Sequence, residues 1–187
     1  MRLFAAIIPP ESALVELTAV VGALRHLPGA DRLRWTEHEG WHFTLAFLGE
    51  VDDGLLPELS ERLERAARRH PPHELRLAGG GRFGDRILWV GAEGDRATLR
   101  DLARSTAAGA RRAGVDVDGT HTFHAHLTLA RATGGVDLKP YAAALGDFHG
   151  TAWTVDRLAL MRSHPPVSGV PGERPRYEVI RSWGLGH

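Results

Sequence analysis

Two five-residue segments of the chain place an imidazole and a hydroxyl at the same spacing: His42-Phe43-Thr44-Leu45-Ala46 and His126-Leu127-Thr128-Leu129-Ala130. In an extended strand, residues two apart share a face. Each segment therefore projects a histidine beside a threonine, while Leu45 and Leu129 turn inward and hold the strand. Two such strands facing each other would bring two imidazoles and two hydroxyls to one pocket. That set can split a phosphodiester without a metal. A neutral imidazole takes a proton from water, and a protonated one gives a proton to the leaving oxygen. An ordinary pKa of about 6.5 allows either state near neutral pH. The threonine hydroxyls can donate hydrogen bonds to the non-bridging phosphate oxygens, where the transition state carries its charge. The near-identity of the segments leaves open which histidine is acid and which is base.

His-x-Thr alone carries no information here. With 11 His and 11 Thr in the chain, roughly one chance match is expected, and His149-Gly150-Thr151 is one. Requiring Leu-Ala after the threonine lowers the expectation to roughly one per hundred chains. Two copies lie 84 residues apart, from position 42 to position 126, nearly half of the 187 residues. Two copies at that spacing suggest two pseudo-symmetric lobes rather than a solenoid.

The elements that must position these residues follow from periodicity and breakers. Leu3 to Ile8 reads as a buried strand stopped by Pro9-Pro10. Glu11 to His26 reads as a helix with Leu14, Leu17, Val21 and Leu24 on one face. Leu33 to Thr36 and His42 to Leu48 read as strands. Leu55 to Arg69 reads as a helix with Glu-Arg pairs at i,i+4. Glu74 to Ala78 and Ile87 to Ala92 read as strands around a Gly-rich turn, Gly79 to Gly84. Asp95 is the expected N-cap of a helix running to Ala113, with Gly114 as its stop. His126 to Arg131 follows as a strand, and Leu138 to Leu145 as a short helix. Thr151 to Arg162 and Tyr177 to Trp183 are the last strands. The Ser163 to Pro175 loop between them is long enough to be a candidate lid. This mixture predicts an α+β fold rather than a βαβ repeat. One domain is expected over 1–187, with approximate halves 1–93 and 94–187.

Composition narrows the function. Acidic and basic residues balance at 23 each, so long nucleic acid is not gripped by charge alone, and any nucleic-acid contact should be local. Lys139 is the sole lysine, and the absence of cysteine excludes thiol catalysis and Cys-ligated zinc. The apolar run after Met1-Arg2 is too short for a signal peptide, and no stretch reaches membrane-spanning length. A soluble, cytoplasmic chain is expected.

Other polar residues are weighed against ordinary structural roles. Strict alternation points Arg131 away from His126 and Thr128, but it can swing in as a phosphate contact if the strand ends there. Phe47 stands at the equivalent place in the first segment, where it either packs in the core or stacks on a base. His121, His124 and His126, with Asp116 and Asp118 nearby, suggest a metal site but lack a known ligand spacing. No metal or cofactor is expected. His38, His70, His73, His149 and His164 read as surface or loop residues. Arg68-Arg69 and Arg111-Arg112 complement helix C-termini.

The whole chain resembles the 2H phosphoesterases, in particular the RNA 2′,3′-cyclic phosphodiesterase group, also called 2′-5′ RNA ligases. The resemblance rests on Arg2-Leu3-Phe4-Ala5 with Pro9-Pro10, on Trp41 to Gly49 and on Phe123 to Arg131. Ile87-Leu88-Trp89-Val90 and Tyr177 to Leu185 also fit. Where the family often has proline before its second histidine, this chain has Ala125. The resemblance implies a bilobal fold, two pseudo-symmetric lobes of antiparallel sheet with outer helices around a central cleft. It also implies hydrolysis of a 2′,3′-cyclic phosphate to a 2′-phosphate, with possible 2′-5′ ligation in reverse. His42 would then be the proton donor and His126 the proton acceptor, with Thr44 and Thr128 beside them and Arg131 and Phe47 contacting substrate. The expected partners are RNA 2′,3′-cyclic phosphate ends or small cyclic nucleotides, with no membrane and no obligate protein partner, the chain acting as a monomer. Two other readings remain: a noncatalytic RNA-end or nucleotide binding module, and a His-dependent metallohydrolase.

Overall fold

Strand β1 (Arg2–Ile7) alternates between two environments, and that alternation organises the molecule. Leu3, Ala5 and Ile7 enter the main core, whereas Phe4 and Ala6 join a small separate cluster with Ala159 and Met161. In this computed structural model, which describes residues 1–187 except 118–121, 168, 171 and 187, two antiparallel sheets and four helices form an α+β fold. The first sheet has the order β3-β1-β8-β9, with β3 at Phe43–Glu50, β8 at Arg157–His164 and β9 at Arg176–Gly184. The second has the order β2-β6-β5-β4-β7. Its strands are β2 (Leu33–Trp35), β4 (His73–Phe83), β5 (Ile87–Gly94), β6 (Leu127–Ala132) and β7 (Trp153–Val155). Each sheet takes strands from both halves of the sequence.

The helices are α1 (Glu11–Leu24), α2 (Leu56–Arg68), α3 (Arg96–Arg112) and α4 (Lys139–Leu145). Leu14, Leu17, Val21 and Leu24 bury the inner face of α1. The outer face of α2 carries Arg62–Glu58, Arg65–Glu61 and Arg68–Glu64 pairs at 2.7, 2.5 and 2.9 Å, each contributing about 0.3–0.5 kcal/mol. The carboxylate of Asp95 accepts from the Thr98 N–H at 3.0 Å and caps α3. Gly114 ends it with φ +96°, where a side chain would be strained.

Three sequence expectations change. The Thr151 to Arg162 stretch is two strands in different sheets, β7 paired with β4 and β8 paired with β1 and β9. Trp153 and Val155 are buried before Asp156, and Leu158 and Leu160 after it, so the buried positions change parity at the crossing. Most of the Gly79 to Gly84 stretch is strand: β4 runs to Phe83 with a bulge at Gly79, and the turn is confined to 84–86. Gly80 and Gly81 serve close approach. A Cβ on Gly80 would lie 2.5 Å from Leu145 Cδ1, and one on Gly81 would lie 2.5 Å from Trp89 Cζ2. His73, expected at the surface, is buried in β4, its Nδ1 3.0 Å from the Pro71 carbonyl.

Candidate active site

Both His-x-Thr segments are built the same way, and the shared detail is a β-bulge. In β3 the partners run Thr44↔Ala6, Ala46↔Ala5 and Phe47↔Phe4, so Leu45 is an extra residue. In β6 they run Thr128↔Trp89, Ala130↔Leu88 and Arg131↔Ile87, so Leu129 is extra in turn. A bulge shifts the alternation by one residue and re-aims the side chains beyond it. Ala46 and Ala130 thus enter the core, while Phe47 and Arg131 return to the faces that carry Thr44 and Thr128. Strict alternation predicted the opposite. Phe47 is 73% exposed, so core packing does not account for it. His42 and His126 lie one residue ahead of the strands that were expected to contain them.

Aromatic rings fix both imidazoles. Phe4, on the non-core face of β1, stacks on His42 at 4.7 Å between centroids, and Tyr177 of β9 meets it edge-on at 5.5 Å. Phe83 and Trp89 stand edge-on to His126 at 4.9 and 6.3 Å. Trp89 also meets His124 at 4.8 Å and lies over Gly81. The sequence reading did not single out these four rings as walls. Their signal is an aromatic at the non-core parity of a strand, as Phe4 is between Leu3 and Ala5.

The two histidines differ electrostatically. Burial pushes the His42 pKa down to about 4, and its buried Nδ1 has no hydrogen-bond partner among the described residues. Burial also lowers the His126 pKa, and the charges of His124 and Arg131 act in the same direction. A hydrogen bond to the His124 carbonyl opposes them, with Nδ1 at 2.8 Å from that oxygen. A carbonyl can only accept, so this bond holds the neutral ring's proton on Nδ1 and leaves the lone pair on Nε2. Neutral imidazoles at both positions are thus favoured near pH 7.

Arg131 and Arg34 of one sheet, Thr36 just past β2, and Tyr177 and His164 of the other sheet line one cleft, whose wall includes none of His42, Thr44, His126 and Thr128. Tyr177 therefore touches both His42 and the cleft. Among the described residues no three His, Asp or Glu side chains gather as a metal set; His121 and Asp118 lie outside those residues. No helix among them is long and apolar enough to cross a membrane. In the Ser163 to Pro175 loop, β8 extends to His164, and Arg174 is tied down by Nη1–H donation to the Trp35 carbonyl at 2.6 Å.

A family model described as the 2′-5′ RNA ligase superfamily matches residues 9–165. A curated RNA 2′,3′-cyclic phosphodiesterase of Geobacillus stearothermophilus is 31% identical over 156 residues, which are 81% of this chain and 47% of the relative. The chain therefore spans about half the length of that protein. A relative of the same name from Thermus thermophilus is 31% identical over 209 residues, covering 99% of this chain and 90% of the relative. The crystal structure of E. coli LigT complexed with NADP+ matches with a TM-score of 0.76 at 28% identity, covering 100% of this chain and 98% of that one.

Proposed function

The chain belongs to the 2′-5′ RNA ligase superfamily, and from that premise we propose that it is an RNA 2′,3′-cyclic phosphodiesterase that leaves a 2′-phosphate end. The observation that carries this reading is the matched construction of the two segments. Each sheet offers one His-Thr pair on a ring-walled face, followed at once by the same bulge.

His126 is the base. With its proton held on Nδ1 by the His124 carbonyl, Nε2 is free to take a proton from water as the water oxygen bonds to phosphorus. The P–O3′ bond breaks on the opposite side, and His42 gives its proton to the departing 3′ oxygen. Thr44 and Thr128 donate to the non-bridging oxygens. Burial favours the neutral form of His42. The phosphate anion reverses that preference when it arrives, because an opposite charge within a few ångströms favours imidazolium. Phe47 offers an exposed ring to a base. The reverse reaction, with a 5′ hydroxyl in place of water, would form a 2′-5′ linkage through the same two groups. The whole chain acts as a single domain, as a monomer in the cytoplasm.

No step in this scheme needs a metal. Turnover of a nucleoside 2′,3′-cyclic phosphate is expected to keep the same rate after exhaustive chelation. Activity that vanishes with chelator and returns with a divalent ion would make the chain a metallohydrolase. Saturable binding with no turnover would make it a binding module.

A further inference from the structure

The cleft that Tyr177 lines beside His42 is a cavity of about 700 Å³ between the edges of the two sheets. Four arginines line it, Arg34, Arg131, Arg174 and Arg176. Arg174 is already engaged, donating to the Trp35 carbonyl and lying 3.0 Å from Glu37. Of the other acids on the wall, Glu178 lies 3.6 Å from His164. Among the described residues, Arg34, Arg131 and Arg176 have no carboxylate in ion-pair contact, and Glu39 is the one remaining acid on the lining.

The placement of Arg34 and Arg131 points to an anion. They are direct partners across the β2–β6 pair and therefore share a face. Like charges directly opposite on a sheet destabilise it, and an anion between two guanidinium forks turns that repulsion into attraction. The bulge at Leu129 puts this arginine pair on the face of Thr128, one row further along the strand, a step of roughly 7 Å. That step suits the next phosphate of a single strand whose terminal phosphate sits at the two threonines.

Resting on the function proposed above, we propose that this cavity is a subsite for the RNA chain itself, with the phosphodiester on the 5′ side of the terminal nucleotide held between Arg34 and Arg131. The enzyme then reads a cyclic end as part of a strand, and a mononucleotide leaves the subsite empty. This local pair supplies a strand grip in a chain with no net charge.

The test compares kcat/KM for a dinucleotide bearing a 2′,3′-cyclic end with that for the corresponding mononucleoside 2′,3′-cyclic phosphate. The native protein is expected to prefer the dinucleotide by at least about tenfold, and Arg34→Ala to reduce that preference about tenfold. Arg34→Lys should restore part of it, as a point charge without the fork, and the native preference should shrink as salt rises. Equal use of both substrates by the native protein would overturn the subsite, as would an Arg34→Ala loss equal on both. In either case mononucleotide turnover would leave the catalytic proposal standing. Failure to turn over either substrate would remove both.

Discussion

Replacing His126 with alanine is expected to lower kcat on a 2′,3′-cyclic phosphate by about 10²–10⁴-fold, the span that a positioned general base contributes. Its ring is half-buried and held by one bond to a backbone carbonyl, so the variant should keep the native circular dichroism spectrum. His42→Ala is expected to fall in the same range. His42 is enclosed by Phe4 and Tyr177, so truncation also leaves a gap, and His42→Gln tests the proton transfer with less loss of volume. The double variant should fall little below the weaker single variant, because an acid and a base that act on one displacement are not additive. Steady-state kinetics on the three proteins measure this. Either single variant with native activity would remove that histidine from the mechanism.

The second large effect is on stability, at a glycine whose role lies in packing. Gly80→Ala would set a methyl 2.5 Å from Leu145 Cδ1 and 2.7 Å from the Trp89 carbonyl oxygen. The leucine can shift, but the carbonyl belongs to the sheet and cannot. Overpacking of this kind costs about 1–3 kcal/mol, which for a chain of this size lowers Tm by roughly 2–12 °C. At Gly81 the obstacle is the Trp89 ring, a side chain able to turn aside, and that ring is a wall of the His126 site. Gly81→Ala should therefore lose proportionally more activity than stability. Thermal denaturation and kinetics on the two variants separate the effects. A Gly80→Ala protein with native Tm would show that α4 is not packed as tightly on β4 as described.

The contrast between these sites shows what a single sequence makes legible. His42, Thr44, His126 and Thr128 were visible because they occur twice with the same neighbours. Helix α1 was visible because its apolar residues fall on one stripe, and the cap of α3 because Asp95, a good N-cap residue, precedes a helical run that Gly114 stops. The bulges at Leu45 and Leu129 were not visible, since an extra residue in a strand leaves no mark when both it and its neighbour are apolar. For the same reason strict alternation alone points Phe47 and Arg131 to the wrong faces, although both were expected to contact substrate. Gly79 to Gly84 looked like a turn because local chemistry cannot tell a glycine chosen for flexibility from one chosen for a ring or a leucine that will lie against it. The crossing at Asp156 depends on which sheet the strand on each side of it will join, and that is decided only by tertiary contacts.

The central claim is that His42 and His126 open a cyclic phosphate toward the 2′ side without a metal. Its most direct measurement is phosphorus NMR of the product formed from an oligonucleotide with a 2′,3′-cyclic phosphate end in the presence of chelator. The account predicts complete conversion to the 2′-phosphate isomer. A 3′-phosphate product, or no conversion until a divalent metal is supplied, would contradict it.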